Sequence, residues 1–354
     1  MELTTVWFCL IAVLWTGYFV LEGFDFGVGA LLRVLGRDEP ERRTVIGTIG
    51  PLWDGNEVWV LTAGGATFAA FPEWYATMFS GFYLALLIIL LALILRGVAI
   101  EYRNKRPDAA WRNRWDTAIV IGSALPGVLW GVALTNLLAG VPIDKSGEFV
   151  GTFLTLLRPF PLLGGIAIFS VFIVHAAVFI GLKTTGDLRD RANGLARKVF
   201  PVSAVLVVAF FVVGYAVRGN AGFVVSALLA VVAFVAAALA NRAGRDGWAF
   251  AGTAAAIAFT TIAMFAALFP DVMPTNLADG MSLTVTNASS SAYTLRFMSI
   301  VALVFVPIVL AYQGWTYWVF RKRITVPLSG PAPLSGPVPV AGPAPVVPET
   351  VSAP

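Results

Sequence analysis

The chain has 354 residues, of which 58% are hydrophobic and only 12% charged. Soluble domains run near about 45–50% apolar and about 25% charged, so a soluble one- or two-domain protein is excluded, and lipid is the expected solvent for most of the chain. The formal charge of +4 does not point to nucleic acid, because the basic residues flank hydrophobic spans; the single Cys9 and single His175 exclude an intrachain disulfide, a zinc site with several His or Cys ligands, and a cytochrome holding several haems through its own imidazoles.

Stretches near the roughly 20 residues that cross a bilayer recur along the chain and predict an all-α polytopic membrane protein of nine transmembrane helices packed in bundles. The first, Val6 to Leu32, follows Glu2 and no Lys or Arg, so it lacks the basic region of a cleavable signal peptide and reads as a retained helix. Next come Leu52 to Phe71, whose first turn suits Pro51, and Trp74 to Leu95, which Arg96 closes. Trp115 to Leu138 and Leu162 to Leu182 follow, the latter containing His175. The last four are Phe200 to Val217, Phe223 to Ala240, Trp248 to Phe269 and Leu295 to Phe320. Pro126 and Pro307 fall inside spans and predict kinks tolerated by neighbouring helices.

Of the 24 Lys and Arg, 20 lie in alternate connections, leaving only Lys145, Arg158, Arg218 and Arg296 on the other side. The positive-inside rule then puts the N-terminus outside and the C-terminus in the cytoplasm. Residues Pro270 to Thr294 form a longer outside segment suited to capping helices or touching a partner. The membrane domain is expected to run over 1–324 and a disordered Pro-rich cytoplasmic tail over 325–354; nine of the 21 prolines fall in the last 28 residues.

The residues with most chemical content are two acidic pairs, Glu22 with Asp25 and Asp54 with Glu57. An i, i+3 spacing puts both carboxyls of a pair on one helix face, and the short connection makes the two helices antiparallel neighbours, so four carboxyls can converge. At 1.5 Å per residue, Asp25 lies roughly 10 Å and Glu22 roughly 15 Å before the cytoplasmic end of the first helix, while Asp54 sits in the first turn of the second and Glu57 one turn deeper. Intramembrane acids are expensive, so this ladder reads as a proton relay, an ion site or a satisfied structural cluster; Asp54 also suits a helix N-terminus. Trp53, Trp59 and Arg96 fit an interfacial belt and a positive stop signal, or, for Arg96, a pair with a carboxylate or a haem propionate across a subunit boundary. His175 reads as a hydrogen-bonded structural or interface residue, a proton carrier, or a haem ligand if another chain completes the site. Gly23 with Gly27 and Gly127 with Gly131 are small-xxx-small pairs for close helix packing.

Gly23-Phe24-Asp25-Phe26-Gly27-Val28-Gly29, Trp53-Asp54-Gly55-Asn56-Glu57-Val58-Trp59, Gly64-Gly65-Ala66, Phe68-Ala69-Ala70 and Phe79-Ser80-Gly81-Phe82-Tyr83 strongly resemble subunit II of the cytochrome bd-type quinol oxidases. Arg96 with Glu101-Tyr102-Arg103, Trp111-Arg112-Asn113 with Trp115-Asp116, Phe269-Pro270 with Val272-Met273-Pro274, and Pro307-Ile308 extend the likeness through the ninth helix. The resemblance implies a subunit of a terminal oxidase in the bacterial inner (plasma) membrane that oxidises membrane quinol and reduces dioxygen to water. It implies a heterodimer with a haem-bearing subunit I holding haems b558, b595 and d, and no haem or metal ligand in this chain. Small accessory subunits, and a structural quinone or lipid in a hydrophobic groove, also fit the family. Its proton route passes acids that match Asp25 and Asp54, which makes Glu22, Asp25, Asp54 and Glu57 the expected cytoplasmic proton path. Trp53, Trp59 and Arg96 are the expected inter-subunit residues near the haems. The rival readings are a proton-coupled secondary transporter using the acidic ladder, and a purely structural partner subunit.

Overall fold

A computed structural model describes residues 2–327. The chain is an all-helical membrane protein: α1 (Leu3–Leu35), α2 (Glu39–Ile49), α3 (Trp53–Ala70), α4 (Pro72–Gly81), α5 (Tyr83–Tyr102), α6 (Ala109–Ala139), α7 (Pro159–Lys183), α8 (Gly186–Arg218), α9 (Ala221–Arg242), α10 (Asp246–Leu268) and α11 (Ala292–Val319). Between α10 and α11, β1 (Asp271–Met273) and β2 (Leu283–Thr284) pair antiparallel.

Among the described residues, eight helices are long and apolar enough to cross a membrane: α1, α5 and α6 to α11. The expected second span is α3, whose 18 residues include Asp54 and Glu57 and a run of Gly and Ala, which keeps it out of that set. It is still about 27 Å long at 1.5 Å per residue. The expected third span, Trp74 to Leu95, is two helices, broken where Phe82 leaves helical geometry between α4 and α5. The short α2 had no counterpart among the expected helices, because its polar sequence carries no membrane signal. Its start is built locally, with Asp38 Oδ1 accepting from Glu41 N at 2.9 Å and Pro40 in the first turn. Pro126 and Pro307 lie inside α6 and α11 as anticipated.

α1 occupies the middle of the molecule, against α3, α6, α7 and α10. Its glycines permit this: a Cβ at Gly23 would meet the Phe172 ring of α7 at 2.6 Å, and Gly27 lies against the Phe172 carbonyl and Ala176. Gly131 of α6 does the same against α7, where a Cβ would stand 2.8 Å from Gly165 Cα. Trp15, Tyr18, Phe19, Phe26, Trp130 and Phe172 fill the space between these three helices with edge-on and stacked rings. The segment between α10 and α11 caps the helix ends opposite the basic connections: Val141 N donates to Pro274 O at 3.0 Å, Ser290 N to Ala70 O at 2.9 Å, and Arg218 pairs with Asp271 at 2.7 Å. By contrast, α11 lies outside the bundle along α1 and α3, and of its 28 residues only Leu295 is buried.

At the basic end, Arg103 is fully buried and ties three elements together. Its guanidinium holds Asp116 of α6 at 2.5 and 3.3 Å and Glu39 of α2 at 2.8 and 2.9 Å. Such bidentate pairing makes a fully desolvated arginine tolerable. Burial opposes the charge on Glu39, but Arg103, then Arg112 and Arg43, outweigh it and hold this carboxyl below the usual glutamate range. Asp246 gathers Arg189 at 2.9 Å, Arg323 at 2.8 Å and Asn193 at 3.2 Å, joining α8, α10 and the segment after α11.

Candidate functional site

On α1, Tyr18, Glu22, Asp25 and Gly29 fall on one face by their spacing of four, three and four residues, and this face meets α3, α6 and, through Arg96, α5. α3 runs antiparallel to it, with Asn56 beside Asp25 and Trp59 over Gly17. α5 brings Arg96, and it can do so because Gly122 of α6 has no side chain; a Cβ there would stand 2.7 Å from Ala92 O and 3.0 Å from Arg96 Cβ.

Arg96 is the hub. Its Nη2 bridges Glu22 Oε1 and Glu57 Oε2, the second at 2.7 Å, and its guanidinium carbon lies 5.0 Å from the Phe26 ring centroid. Glu22 and Arg96 are fully enclosed, whereas the Glu57 side chain is 24% exposed, so the group opens through Glu57. Asp25, also enclosed, accepts from Asn56 Nδ2 at 2.7 Å through Oδ2. Asn56 Oδ1 in turn accepts from Tyr317 Oη at 2.9 Å and Gln313 Nε2 at 3.1 Å, both on α11. Dehydrating an ion costs on the order of several kcal/mol, so a set with one guanidinium and two enclosed carboxyls, Glu22 and Asp25, is under electrostatic tension. Tyr18 Oη, Glu22 Oε2 and Asp25 Oδ1 have no hydrogen-bond partner among the described residues. Such unspent capacity in buried polar groups calls for a functional or hydration account.

Three of the four sequence-predicted acids thus gather, and Asp54 stands apart. It is exposed on the outer face of α3 with Gly55, Val58 and Leu61, and makes no ion pair or hydrogen bond with any described residue. Arg96 has its carboxylate partners within this chain. Trp53 lies half-buried against Gly97 of α5, and Trp59, also half-buried, covers Gly17 of α1.

His175 joins α7 to α1 and α10. Its Nε2 lies 3.1 Å from Val20 O and its Nδ1 2.7 Å from Thr253 Oγ1, with the Phe250 ring stacked at 4.6 Å. The carbonyl makes Nε2 the donor, so Nδ1 of the neutral ring accepts from the threonine. Both nitrogens are engaged.

The whole helical span matches the family described as cytochrome bd terminal oxidase subunit II, over residues 3–320. The chain belongs to that family. It is 45% identical over 330 residues to cytochrome bd ubiquinol oxidase subunit 2 of Bacillus subtilis (strain 168), covering 92% of this chain and 97% of that protein. It is 37% identical over 361 residues to cytochrome bd-I ubiquinol oxidase subunit 2 of Escherichia coli (strain K12), covering 90% and 94%. The structure of bd oxidase from Geobacillus thermodenitrificans shares the fold, with a TM-score of 0.74 at 15% identity over 90% of this chain and 99% of that one.

As a bd oxidase subunit II, the chain is a component of a quinol:oxygen oxidoreductase complex that contains haem and a subunit I. Its own residues do not fit a haem ligated through His175, since neither imidazole nitrogen has a lone pair to spare for iron and the ring is closed in by Phe24 and Phe250. Among the described residues no group of three or more His, Cys, Asp or Glu could hold a metal.

Sequence reasoning missed Asn56, Gln313 and Tyr317, neutral residues inside spans that single-residue scanning for charge passes over. The signal was present: Gln313 and Tyr317 stand i, i+4 on an otherwise apolar helix, on one face. It also missed Tyr18, the aromatic one turn from Glu22.

Proposed function

We propose that this subunit II completes a heterodimer with a haem-bearing subunit I in the bacterial plasma membrane, and supplies a path for protons from the cytoplasm to the site where dioxygen is reduced with electrons from membrane quinol. The haems, b558, b595 and d, belong to subunit I in this reading and supply the electron-transfer and oxygen chemistry. The observation that carries it is the enclosed set of Glu22, Asp25 and Arg96 opening to the surface through Glu57. With 20 of 24 basic residues in alternate connections, the end of α3 bearing Asp54 and Glu57 faces the cytoplasm.

Each residue then has a task. Asp54, exposed at the start of α3, gathers protons at the surface. Glu57 passes them inward, and Arg96 holds Glu57 and Glu22 within reach of one another while balancing their charge. Glu22 and Asp25 hold protons inside the bundle, with Tyr18 Oη beside them on the same face of α1. Deeper in the membrane than Asp54, the face left open by α3 and α11, including Leu61, Phe68, Leu303 and Phe305, is apolar and is the one assigned here to subunit I, which leaves the first turn of α3 open to the cytoplasm. A groove of about 540 Å³ between α1 and α10, lined by Phe8, Cys9, Val13, Ile262 and Phe269, suits the chain of a structural quinone or lipid. The Pro-rich tail of the 325–354 reading lies, from residue 328 on, outside the described residues.

A reduced-minus-oxidised optical spectrum tests the division of labour. Bands of haems b and d are expected in the copurified complex and absent from this chain isolated without its partner. Haem on the isolated chain would overturn it.

A further inference from the structure

The geometry points to Tyr317 and Gln313 of α11 as positioning residues that, through Asn56, aim the Asp25 carboxylate; the inference rests on the proton-path reading of Asp25. Asn56 is fully buried and its amide is filled: Nδ2 donates to Asp25 Oδ2 at 2.7 Å and to Leu21 O at 3.4 Å, while Oδ1 accepts from Tyr317 Oη at 2.9 Å and Gln313 Nε2 at 3.1 Å. An amide offers two N–H donors and two lone pairs on oxygen, so all four positions are used. The opposite orientation would turn the amide oxygen toward a carboxylate, so the network fixes which end faces Asp25. An amide held this way carries no proton of its own to pass on. It pins Oδ2 of Asp25 and leaves Oδ1, which has no hydrogen-bond partner among the described residues, as the atom presented to an arriving proton.

What holds Asn56 is α11, which packs lightly: Leu295 alone of its 28 residues is buried, with Met298, Ala302 and Tyr317 half-buried against the core. Polar bonds seat it at three levels. Near its start, Trp7 Nε1 donates to Leu295 O at 3.2 Å and Ser299 Oγ at 3.1 Å. In its last third, Gln313 and Tyr317, one turn apart, both reach Asn56. Beyond its end, Lys183 Nζ donates to Phe320 O and, at 3.1 Å, to Lys322 O, and Ile324 N donates to Lys183 O at 2.7 Å. A shift of α11 therefore reaches Asp25 through one side chain. Since the open face of α11 is the one assigned to subunit I, docking of the partner bears directly on the aim of that carboxyl.

The test compares Tyr317→Phe, Gln313→Met and Asp25→Asn in the assembled oxidase at equal haem content, with Thr316→Val as a control on the same helix; among the described residues the Thr316 hydroxyl bonds to the Tyr312 carbonyl of its own helix and to no other group. Redox-difference infrared spectra identify the Asp25 carboxyl band as the one lost in Asp25→Asn. Tyr317→Phe and Gln313→Met are expected to shift that band and to lower oxygen turnover by about 3- to 10-fold without changing the quinol KM, the scale of one neutral hydrogen bond each. Thr316→Val is expected to move neither. A shifted band in a complex that Asp25→Asn leaves fully active keeps the aiming geometry and removes the proton-path reading. A band and a turnover that both ignore Tyr317→Phe and Gln313→Met, in a complex that Asp25→Asn inactivates, overturn the positioning inference alone.

Discussion

Arg96 lies within a run of apolar residues on α5 and is fully enclosed between Glu22 and Glu57, which makes its removal the sharpest perturbation of this site. Replacing it by Met keeps the stem and deletes the charge. Glu22, with no exposure, then loses the one cation it pairs with among the described residues, and leaving one partner of a buried pair unpaired costs about 3–5 kcal/mol. Glu57→Gln removes a carboxyl that is 24% exposed and partly hydrated, and about 1 kcal/mol or less is expected. Glu22→Gln falls between them, because the amide still accepts from the guanidinium. Combining Glu22→Gln with Arg96→Met deletes the charge and its enclosed counterpart together, so the two losses are expected to be less than additive by about 1–3 kcal/mol. Unfolding of the assembled complex in graded denaturing detergent, followed by haem absorbance and tryptophan fluorescence, reads all four variants on one scale. Equal losses for Arg96→Met and Glu57→Gln, or strict additivity in the double variant, would refute the claim that Arg96 exists to carry the buried charge of Glu22.

Three further outcomes follow from the geometry. Gly131→Ala forces a Cβ to within 2.8 Å of Gly165 Cα, a backbone neighbour that cannot swing aside, so a loss of about 1–3 kcal/mol is expected in the same unfolding assay, larger than for the exposed Gly247→Ala control only if α6 and α7 touch as described. His175→Phe is expected to leave the haem content per complex unchanged while lowering stability by about 1–3 kcal/mol, because Val20 O and Thr253 lose a buried partner; missing haem bands would show the ring to be a ligand after all. Glu39 has a carboxyl held below its ordinary range by Arg103, Arg112 and Arg43 against the opposing effect of burial. Its contribution is thus fully present above the unfolded glutamate range and is lost as pH falls through the lowered folded value. Protease nicking of the α2 connection is expected to rise only on that acid side in wild type, and at neutral pH in Glu39→Gln.

The chain's membrane character and most of its helices were legible because apolar runs of span length are hard to read otherwise. The break at Phe82 was not, since Trp74 to Leu95 is largely apolar on both sides of it, and the corner is marked by tertiary contacts, the packing of Gly81 and Phe82 against Phe149. The i, i+3 spacing correctly placed Glu22 and Asp25 on one face, and Arg96 found acids because an arginine in an apolar run needs them. Asp54 escaped the same logic: it is three residues from Glu57, yet the helix crossing turns Asn56 and Glu57 inward and leaves Asp54 outside. The Arg103, Asp116 and Glu39 network was hidden for another reason. Charges at span ends look like topology signals, and only coordinates separate a solvated arginine from one with no exposure.

The central claim is that protons for oxygen reduction enter through the acids of this subunit. Its most direct test is proton uptake from the cytoplasmic side of oriented vesicles when the fully reduced complex meets oxygen, compared between wild type and Glu22→Gln at equal haem content. Uptake and oxygen consumption that slow together in Glu22→Gln are the predicted result. Uptake at the wild-type rate in Glu22→Gln would contradict it.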